Sequence, residues 1–200
     1  MDGRFGHGGD GVDREAHCEA SQQAKETSHR RTGGGVMPES GVSVRRVELG
    51  DVADLRENCY PMNTLAQTQE LVSRSLEQAV AGLGAHFVAV TNGSTVGTVN
   101  LEVRQHGLRR HRAVVGGLVV SQPYTRRGIA RRMIQACREE AVRLGCTILE
   151  ISCRAGEPPE RIYPRLGFVE YGRLPKGLKE TWGDEREFDE VLFYMPVDKR

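Results

Sequence analysis

The residues Arg126-Arg127-Gly128-Ile129-Ala130-Arg131 stand between a β-branched run and a stretch of helical apolar spacing. Upstream, Val114, Val115, Val119 and Val120 lead to a stop at Pro123. Downstream, Ala130, Met133, Ile134, Cys137, Ala141 and Leu144 recur at helical intervals. A strand, an arginine-glycine turn and a helix start, in that order, aim several unbonded backbone N–H groups at one point. That point lies at the positive end of the helix dipole. The chemistry on offer is main-chain binding of a phosphate or diphosphate. The turn carries neither a G-x-x-x-x-G-K-[ST] loop nor a G-x-G-x-x-G fingerprint, so neither a Walker site nor a dinucleotide site is expected there. Read alone, the segment also suits an ordinary strand-to-helix turn, with its arginines as a solvated face.

The elements that must position this turn follow from periodicity and punctuation. Val42 to Glu48 reads as a strand, and Asp51 as the cap of a helix reaching about Asn58. Pro61 breaks the chain. A helix is expected over roughly Thr64 to Ala81, with Val72, Leu76, Ala79, Val80 and Leu83 at helical spacing and Gly82 and Gly84 ending it. His86 to Thr91 is a strand, and Asn92-Gly93 is a hairpin turn. Thr95 to Arg104 alternates, with Val99, Leu101 and Val103 on one face and Thr98, Asn100 and Glu102 on the other, the pattern of a half-buried antiparallel strand.

A basic loop (His106, Arg109 to Arg112) leads into Ala113 to Val120, apolar on both faces and hence interior. Gly116-Gly117 within it marks a bulge or a close backbone approach. The helix after the turn runs to Leu144 before Gly145, with Glu139 and Arg143 as an i,i+4 pair. Thr147 to Cys153 is a buried strand, and a short helix starts near Pro158 and Pro159. Phe168 to Leu174 is a strand, Pro175 to Glu187 a polar loop, and Phe188 to Val197 the closing strand. The order βααβββαβαββ gives an α/β (α+β) fold, a single mixed, mostly antiparallel sheet flanked by helices, over residues 42–198.

Residues 1–40 differ from the rest. They are rich in glycine and lack apolar periodicity, which is the composition of a disordered leader. Met37 near its end is consistent with a leader outside the functional chain. His7, His17 and His29 are scattered through it and do not resemble a metal site. The 200 residues carry a net charge of +1, which excludes a global field for nucleic acid or membranes. No run of about 18 apolar residues suggests a membrane span. Cysteines 18, 59, 137, 146 and 153 are odd in number and include no C-x-x-C pair. The expectation is a reduced, cytoplasmic chain with no metal centre.

The turn resembles the acyl-CoA turn of the GCN5-related N-acetyltransferases, (Gln/Arg)-x-x-G-x-(Gly/Ala). Gly128 and Ala130 fill its last two fixed positions, and Thr125 departs from the first. Ile162-Tyr163-Pro164-Arg165-Leu166-Gly167-Phe168 is similar to the family's (Leu/Phe)-Tyr-x-x-x-G-Phe segment, one strand and one helix later. The element order is also the family's, from about Val42 to Val197. His111-Arg112-Ala113, Ala155-Gly156 and Tyr171 to Pro175 resemble the tabtoxin-resistance type within it. That type usually has Glu at the Val114 position and Lys near Gly116, and this chain has neither.

The resemblance implies acetyl-CoA as co-substrate and direct attack on its thioester by a neutral primary amine of a small molecule or peptide. It implies that backbone at Leu118, Val119 and Val120 holds the pantetheine and acetyl groups. The N–H groups of Arg126, Arg127, Gly128, Ile129, Ala130 and Arg131 would hold the diphosphate. Arg126, Arg127, Arg131 and Arg132 are the candidate cationic partners. Tyr163 is the expected general acid for the thiolate, its phenol ordinarily titrating near ~10. Pro164 threatens to kink the helix there.

Glu102 is the candidate base, with Glu150 and a water chain as alternatives. Trp182, Asp184 and Glu185 lie in a loop that suits an acceptor rim. A homodimer is compatible with the family. A non-catalytic acyl-CoA sensor is the competing reading, left open by Thr125 and the missing strand Glu. Nucleic-acid binding through residues 104–132 is disfavoured by the scarcity of aromatic neighbours.

Overall fold

The computed structural model describes residues 41–197 apart from Trp182. The expected leader over residues 1–40 therefore lies outside the described residues. The elements in chain order are β1 (Ser43–Arg46), α1 (Val52–Asn58), α2 (Leu65–Val80), β2 (Gly84–Thr91), β3 (Ser94–Val103), β4 (Arg112–Val120), α3 (Ile129–Arg143), β5 (Ile148–Arg154), α4 (Pro158–Ile162), β6 (Val169–Lys179) and β7 (Glu187–Pro196). One sheet holds all seven strands in the order β1-β2-β3-β4-β5-β7-β6. Every pairing is antiparallel except β4 with β5, so the sheet is mixed as the sequence order implies.

The two sheet faces carry separate apolar clusters. Met133, Ile134, Cys137 and Ala141 of α3 pack on Ala89, Val99, Leu101 and Ala113. On the other face Val52, Leu55 and Val72 of α1 and α2 pack on Val88. Asn92 and Gly93 adopt φ of 52° and 81°, the left-handed pair that a two-residue hairpin demands. Thr64 starts α2 with a reciprocal cap. Its hydroxyl accepts the Gln67 N–H at 3.2 Å, and the Gln67 side chain accepts the Thr64 N–H at 2.8 Å.

Several sequence expectations are corrected. Asp51 does not cap α1 with its side chain. Its buried carboxylate turns back to accept the Glu48 N–H (2.8 Å), both Arg45 guanidinium nitrogens (2.7 Å each) and the Thr95 hydroxyl (2.7 Å). Burial alone would raise its pKa, but these bonds hold it below the usual carboxylate value. Val80 lies at the outer end of α2 and is exposed. β3 is not simply half-buried, because Thr98 on its polar side is fully buried, with its hydroxyl against His86 and Tyr60. Glu139 accepts from Gln135 rather than from Arg143. The partner of Arg143 is Glu140, buried and shared with Arg46. Finally, β6 runs through Pro175 to Lys179, with irregular register between Leu174 and Leu178. Pro175 is tolerated because β6 is an edge strand.

Candidate active site

β4 and β5 stay together for three residue pairs only, Arg112 with Ile148, Ala113 with Leu149 and Val114 with Glu150. Beyond Val114 the two strands part, and β4 continues with β3 alone. Between the pairs Thr98–Val119 and Asn100–Gly116, the single residue Val99 faces both Gly117 and Leu118. That is a bulge in β4, and Gly117 meets it with φ of 58°. The expected irregularity at Gly116-Gly117 is thus present. β4 is interior to the sheet as expected, yet Gly116 and Gly117 are exposed and residues 118–120 half-buried, where the neighbouring strand has left.

The closed end of this wedge is tied by a charged cluster. Glu150, buried, accepts from Arg104 at 3.3 Å, from Tyr171 at 3.3 Å and from Arg112. Burial alone would raise its pKa, but the bonds from Arg112 and Arg104 prevail and hold it low. A carboxylate already committed to two guanidinium groups is a structural anion and a poor base.

The open end leads into a cavity of about 420 Å³ lined by Leu118, Val120, Gly128, Ile129, Tyr163 and Leu166, with Arg126, Ala130, Arg131 and others at its rim. The bulge sets which β4 side chains enter it. Leu118 and Val120 face this cavity and the α3 cluster, whereas Val119 packs with Tyr60 on the opposite face. Only the backbone of Val119 is therefore available on the cavity side.

α3 begins at Ile129 because Gly128 takes φ of 76° and reverses the chain. The first amide of this region to reach a carbonyl is that of Arg132, which donates to Gly128 at 3.1 Å. None of the amides from Arg126 to Arg131 finds an acceptor among the described residues. Arg126, though not glycine, holds φ of 63°, a conformation with a cost that marks this turn as specifically shaped. A Cβ placed on Gly128 would meet no protein atom within 4 Å. The space in front of the turn is empty of protein, as an anion cradle requires.

The four candidate arginines separate. Arg126 and Arg131 line the cavity. Arg131 donates to the Arg165 carbonyl at 3.0 Å. The Arg127 guanidinium stacks on Tyr124 with 5.3 Å to the ring centroid. Arg132 donates to the Val42 carbonyl at 2.9 Å and is held away from the cradle.

Tyr163 is buried and borders the cavity. Its ring stands edge-on to Phe193 at 5.6 Å and tilted on Phe168 at 6.1 Å. Among the described residues its hydroxyl has no hydrogen-bond partner. Burial pushes its pKa up to about 12. Pro164 does not displace it. Tyr163 keeps helical φ and ψ of −60° and −41°, and Pro164 opens a tighter turn over residues 163–166, where it has no helical carbonyl to reach.

Glu102 lies elsewhere. It is exposed and lines a polar groove with Gln67, Glu70, Arg74, Ser75 and Asn100, between β3 and α2. Asp184 and Glu185 are exposed, Glu185 pairs with Lys179 at 2.7 Å, and Trp182 is outside the described residues. Cys59, Cys137 and Cys153 are buried, and burial pushes their thiols up to about 11, 12 and 11, which makes them weak nucleophiles. Among the described residues no cluster of His, Cys, Asp or Glu is placed to hold a metal. No helix among them is long and apolar enough to cross a membrane.

Sequence reasoning missed Tyr124, Pro159 and Ile162, which line the cavity. It also missed Tyr60, whose hydroxyl lies 3.3 Å from where a Cβ on Gly117 would sit. Tyr60 stands in a short connection between two helices and carries no local signal. Only the folded path from α1 to β4 brings it to the bulge.

Residues 49–168 match the model of the acetyltransferase (GNAT) family. No curated protein matches the chain in sequence. Similar solved structures include a GNAT superfamily phosphinothricin acetyltransferase from Sinorhizobium meliloti in complex with acetyl-CoA. It is 14% identical, with 78% of this chain and 88% of that one covered and a TM-score of 0.65. A spermidine N-acetyltransferase chimera from Vibrio cholerae and a second acetyltransferase is 18% identical, covering 78% and 95%, with a TM-score of 0.62. An acetyltransferase from Salmonella typhimurium that modifies the N-terminal serine of a 50S ribosomal protein is 13% identical, covering 80% and 97%, with a TM-score of 0.67. At such identities the likeness is one of fold.

Proposed function

We propose, for a chain that belongs to the acetyltransferase (GNAT) family and is thereby an acetyl-CoA-dependent acyltransferase, that the acceptor is a primary amine of a small molecule or a peptide. One observation carries the reading: the parted β4–β5 wedge, the unbonded amides before α3 and the Tyr163 phenol all border one cavity. Acetyl-CoA supplies an activated acyl carbon as the thioester. The amides from Arg126 to Arg131 suit its diphosphate. The main chain at Leu118, Val119 and Val120 suits its pantetheine arm and acyl oxygen. A backbone donor aimed at a developing oxyanion contributes about 3 kcal/mol without any charged side chain.

Tyr163 fits the role of acid for the leaving thiolate. At first sight a phenol near 12 is mismatched to a thiol, which titrates near ~8.5 in water. Burial, however, pushes the Cys59, Cys137 and Cys153 thiols of this protein up to about 11, 12 and 11. A thiolate released into the same kind of surroundings is pushed up by the same desolvation, which brings donor and acceptor into range. Among the described residues no hydrogen bond competes for the phenol, which leaves it free to turn toward the sulfur.

Purified protein with acetyl-CoA and a panel of amines, read by release of free CoA and by mass shift of the amine, tests the proposal. Amine-dependent release supports it. Tight CoA binding with no release from any amine would instead establish an acyl-CoA sensor.

A further inference from the structure

We propose that Arg131, Arg132 and Arg138, on the outer flank of α3, form a subsite for the 3′-phosphate of coenzyme A. The inference rests on the acetyl-CoA reading above and adds a second anion site beside the diphosphate cradle.

A second cavity, of about 400 Å³, lies along α3 and is lined by Arg131, Arg132, Ile134, Gln135, Arg138 and Leu166. It adjoins the cavity in front of the turn, because Arg131 and Leu166 line both. Residues 131, 135 and 138 stand at i, i+4 and i+7 and so stack along one side of the helix. Arg138 starts about 10 Å farther along the axis than Arg131. Helical side chains lean toward the N-terminus, so the half-buried Arg138 leans back toward the turn. Arg132 borders the same cavity from the neighbouring side of the helix.

These guanidinium groups are not neutralised. Arg131 donates to the Arg165 carbonyl at 3.0 Å, and Arg132 to the Val42 carbonyl at 2.9 Å. A carbonyl fixes a guanidinium without cancelling its charge and leaves its other N–H donors available. Arg138 has no hydrogen-bond or ion-pair partner among the described residues. Glu139, next in the chain, accepts from Gln135 at 2.9 Å and pairs with no arginine among the described residues. The contrast lies within one helix, because Arg143 near its C-terminal end is paired with the buried Glu140. Three like charges on one flank repel one another, and a bound anion relieves that repulsion.

The ligand supplies such an anion in the right relation. Coenzyme A carries its diphosphate on the 5′ carbon of the ribose and a phosphate monoester on the 3′ carbon of the same ring. The monoester is thus held one sugar away from the diphosphate, as the flank stands beside the turn. At pH 7 a phosphate monoester carries about −1.5 to −2 charges, more than one arginine matches. The main-chain amides and the helix dipole act only within the first turn, so a phosphate on the flank needs cationic side chains. The guanidinium fork suits phosphate oxygens. Buried Ile134 and half-buried Leu166 add an apolar wall for the sugar and base.

Calorimetric titration of the full chain with CoA and with 3′-dephospho-CoA, at about 0.15 M salt, tests the subsite without any acceptor. CoA is expected to bind about tenfold more tightly, the combined effect of a few exposed charge pairs. Arg132→Gln and Arg138→Gln should each narrow that ratio about threefold and leave the affinity for dephospho-CoA within about twofold of wild type. Arg161→Gln is the control. Arg161 is exposed on α4 and lines neither cavity, so its loss makes the same change in net charge and should leave the ratio unmoved. Equal affinity of the wild type for the two ligands overturns the subsite while the acetyl-CoA reading stands. So does a ratio that Arg132→Gln and Arg138→Gln together leave unchanged, or that Arg161→Gln narrows as much. Binding of neither ligand to the wild type overturns both.

Discussion

Replacing Tyr163 with phenylalanine isolates one oxygen atom. The ring contacts to Phe193 at 5.6 Å and Phe168 at 6.1 Å survive, as does the burial of the ring. The hydroxyl that is lost has no hydrogen-bond partner among the described residues, so no buried donor or acceptor is orphaned. Folding stability should therefore change by less than about 1 kcal/mol. Turnover is a different matter. A positioned general acid contributes about 10² to 10⁴ in rate, and with solvent protons as a fallback near pH 8 the lower figure applies. A 100-fold loss corresponds to about 2.7 kcal/mol of barrier. Because burial holds the wild-type phenol near 12, its protonated form persists through the assay range, and wild-type kcat should not fall below about pH 10 through this group. The assay is steady-state CoA release at saturating amine, with acetyl-CoA affinity measured separately by calorimetry. Equal kcat in the two proteins would remove Tyr163 from the mechanism. A matching loss of acetyl-CoA affinity would assign it to binding instead.

Other perturbations probe the cradle, the wedge and the buried histidine. Gly128→Val places a β-branched side chain at φ of 76°, in space the protein leaves empty. It should cost about 1–2 kcal/mol of stability and lower acetyl-CoA affinity at least about tenfold, measured by calorimetry. Glu150→Gln withdraws the anion from Arg104 and Arg112 at the closed end of the wedge and should cost about 1–3 kcal/mol in chemical denaturation, with unchanged stability counting against the cluster as the wedge's anchor. His86 binds a proton at about 4 when folded and near 6.5 when unfolded, so the unfolded chain gains the proton first as pH falls. Stability should hold above pH 6.5 and decline by about 3 kcal/mol toward pH 4, and His86→Gln should flatten that decline in denaturant titrations.

The turn, its glycine and the bulge were legible because each depends on neighbours in sequence. Gly128 at a helix start and Gly117 in a β-branched run announce backbone that other residues resist. The hairpin at Asn92-Gly93 was legible for the same reason. What could not be read depends on the sheet. Leu118 and Val119 face opposite ways by ordinary strand alternation, but the bulge shifts the phase, so that Leu118 and Val120, not Val119, continue the side of Ala113 and Val115. Glu150 looked like a possible base until Arg104 and Arg112, distant in sequence, were found against it. His86 takes one partner 11 residues before it and another 12 after it, on α2 and β3, so no local pattern reveals it. Glu102 alternated as expected, but alternation does not say which concavity a strand faces.

The central claim is that the turn before α3 binds the diphosphate of coenzyme A and the β4–β5 wedge receives its pantetheine arm. A crystal structure of the chain with CoA tests this most directly. It should show the diphosphate within hydrogen-bond reach of the amides from Arg126 to Arg131 and the thiol between Leu118 and Tyr163. A diphosphate bound at any other surface, or a wedge left unfilled at saturating CoA, would contradict it.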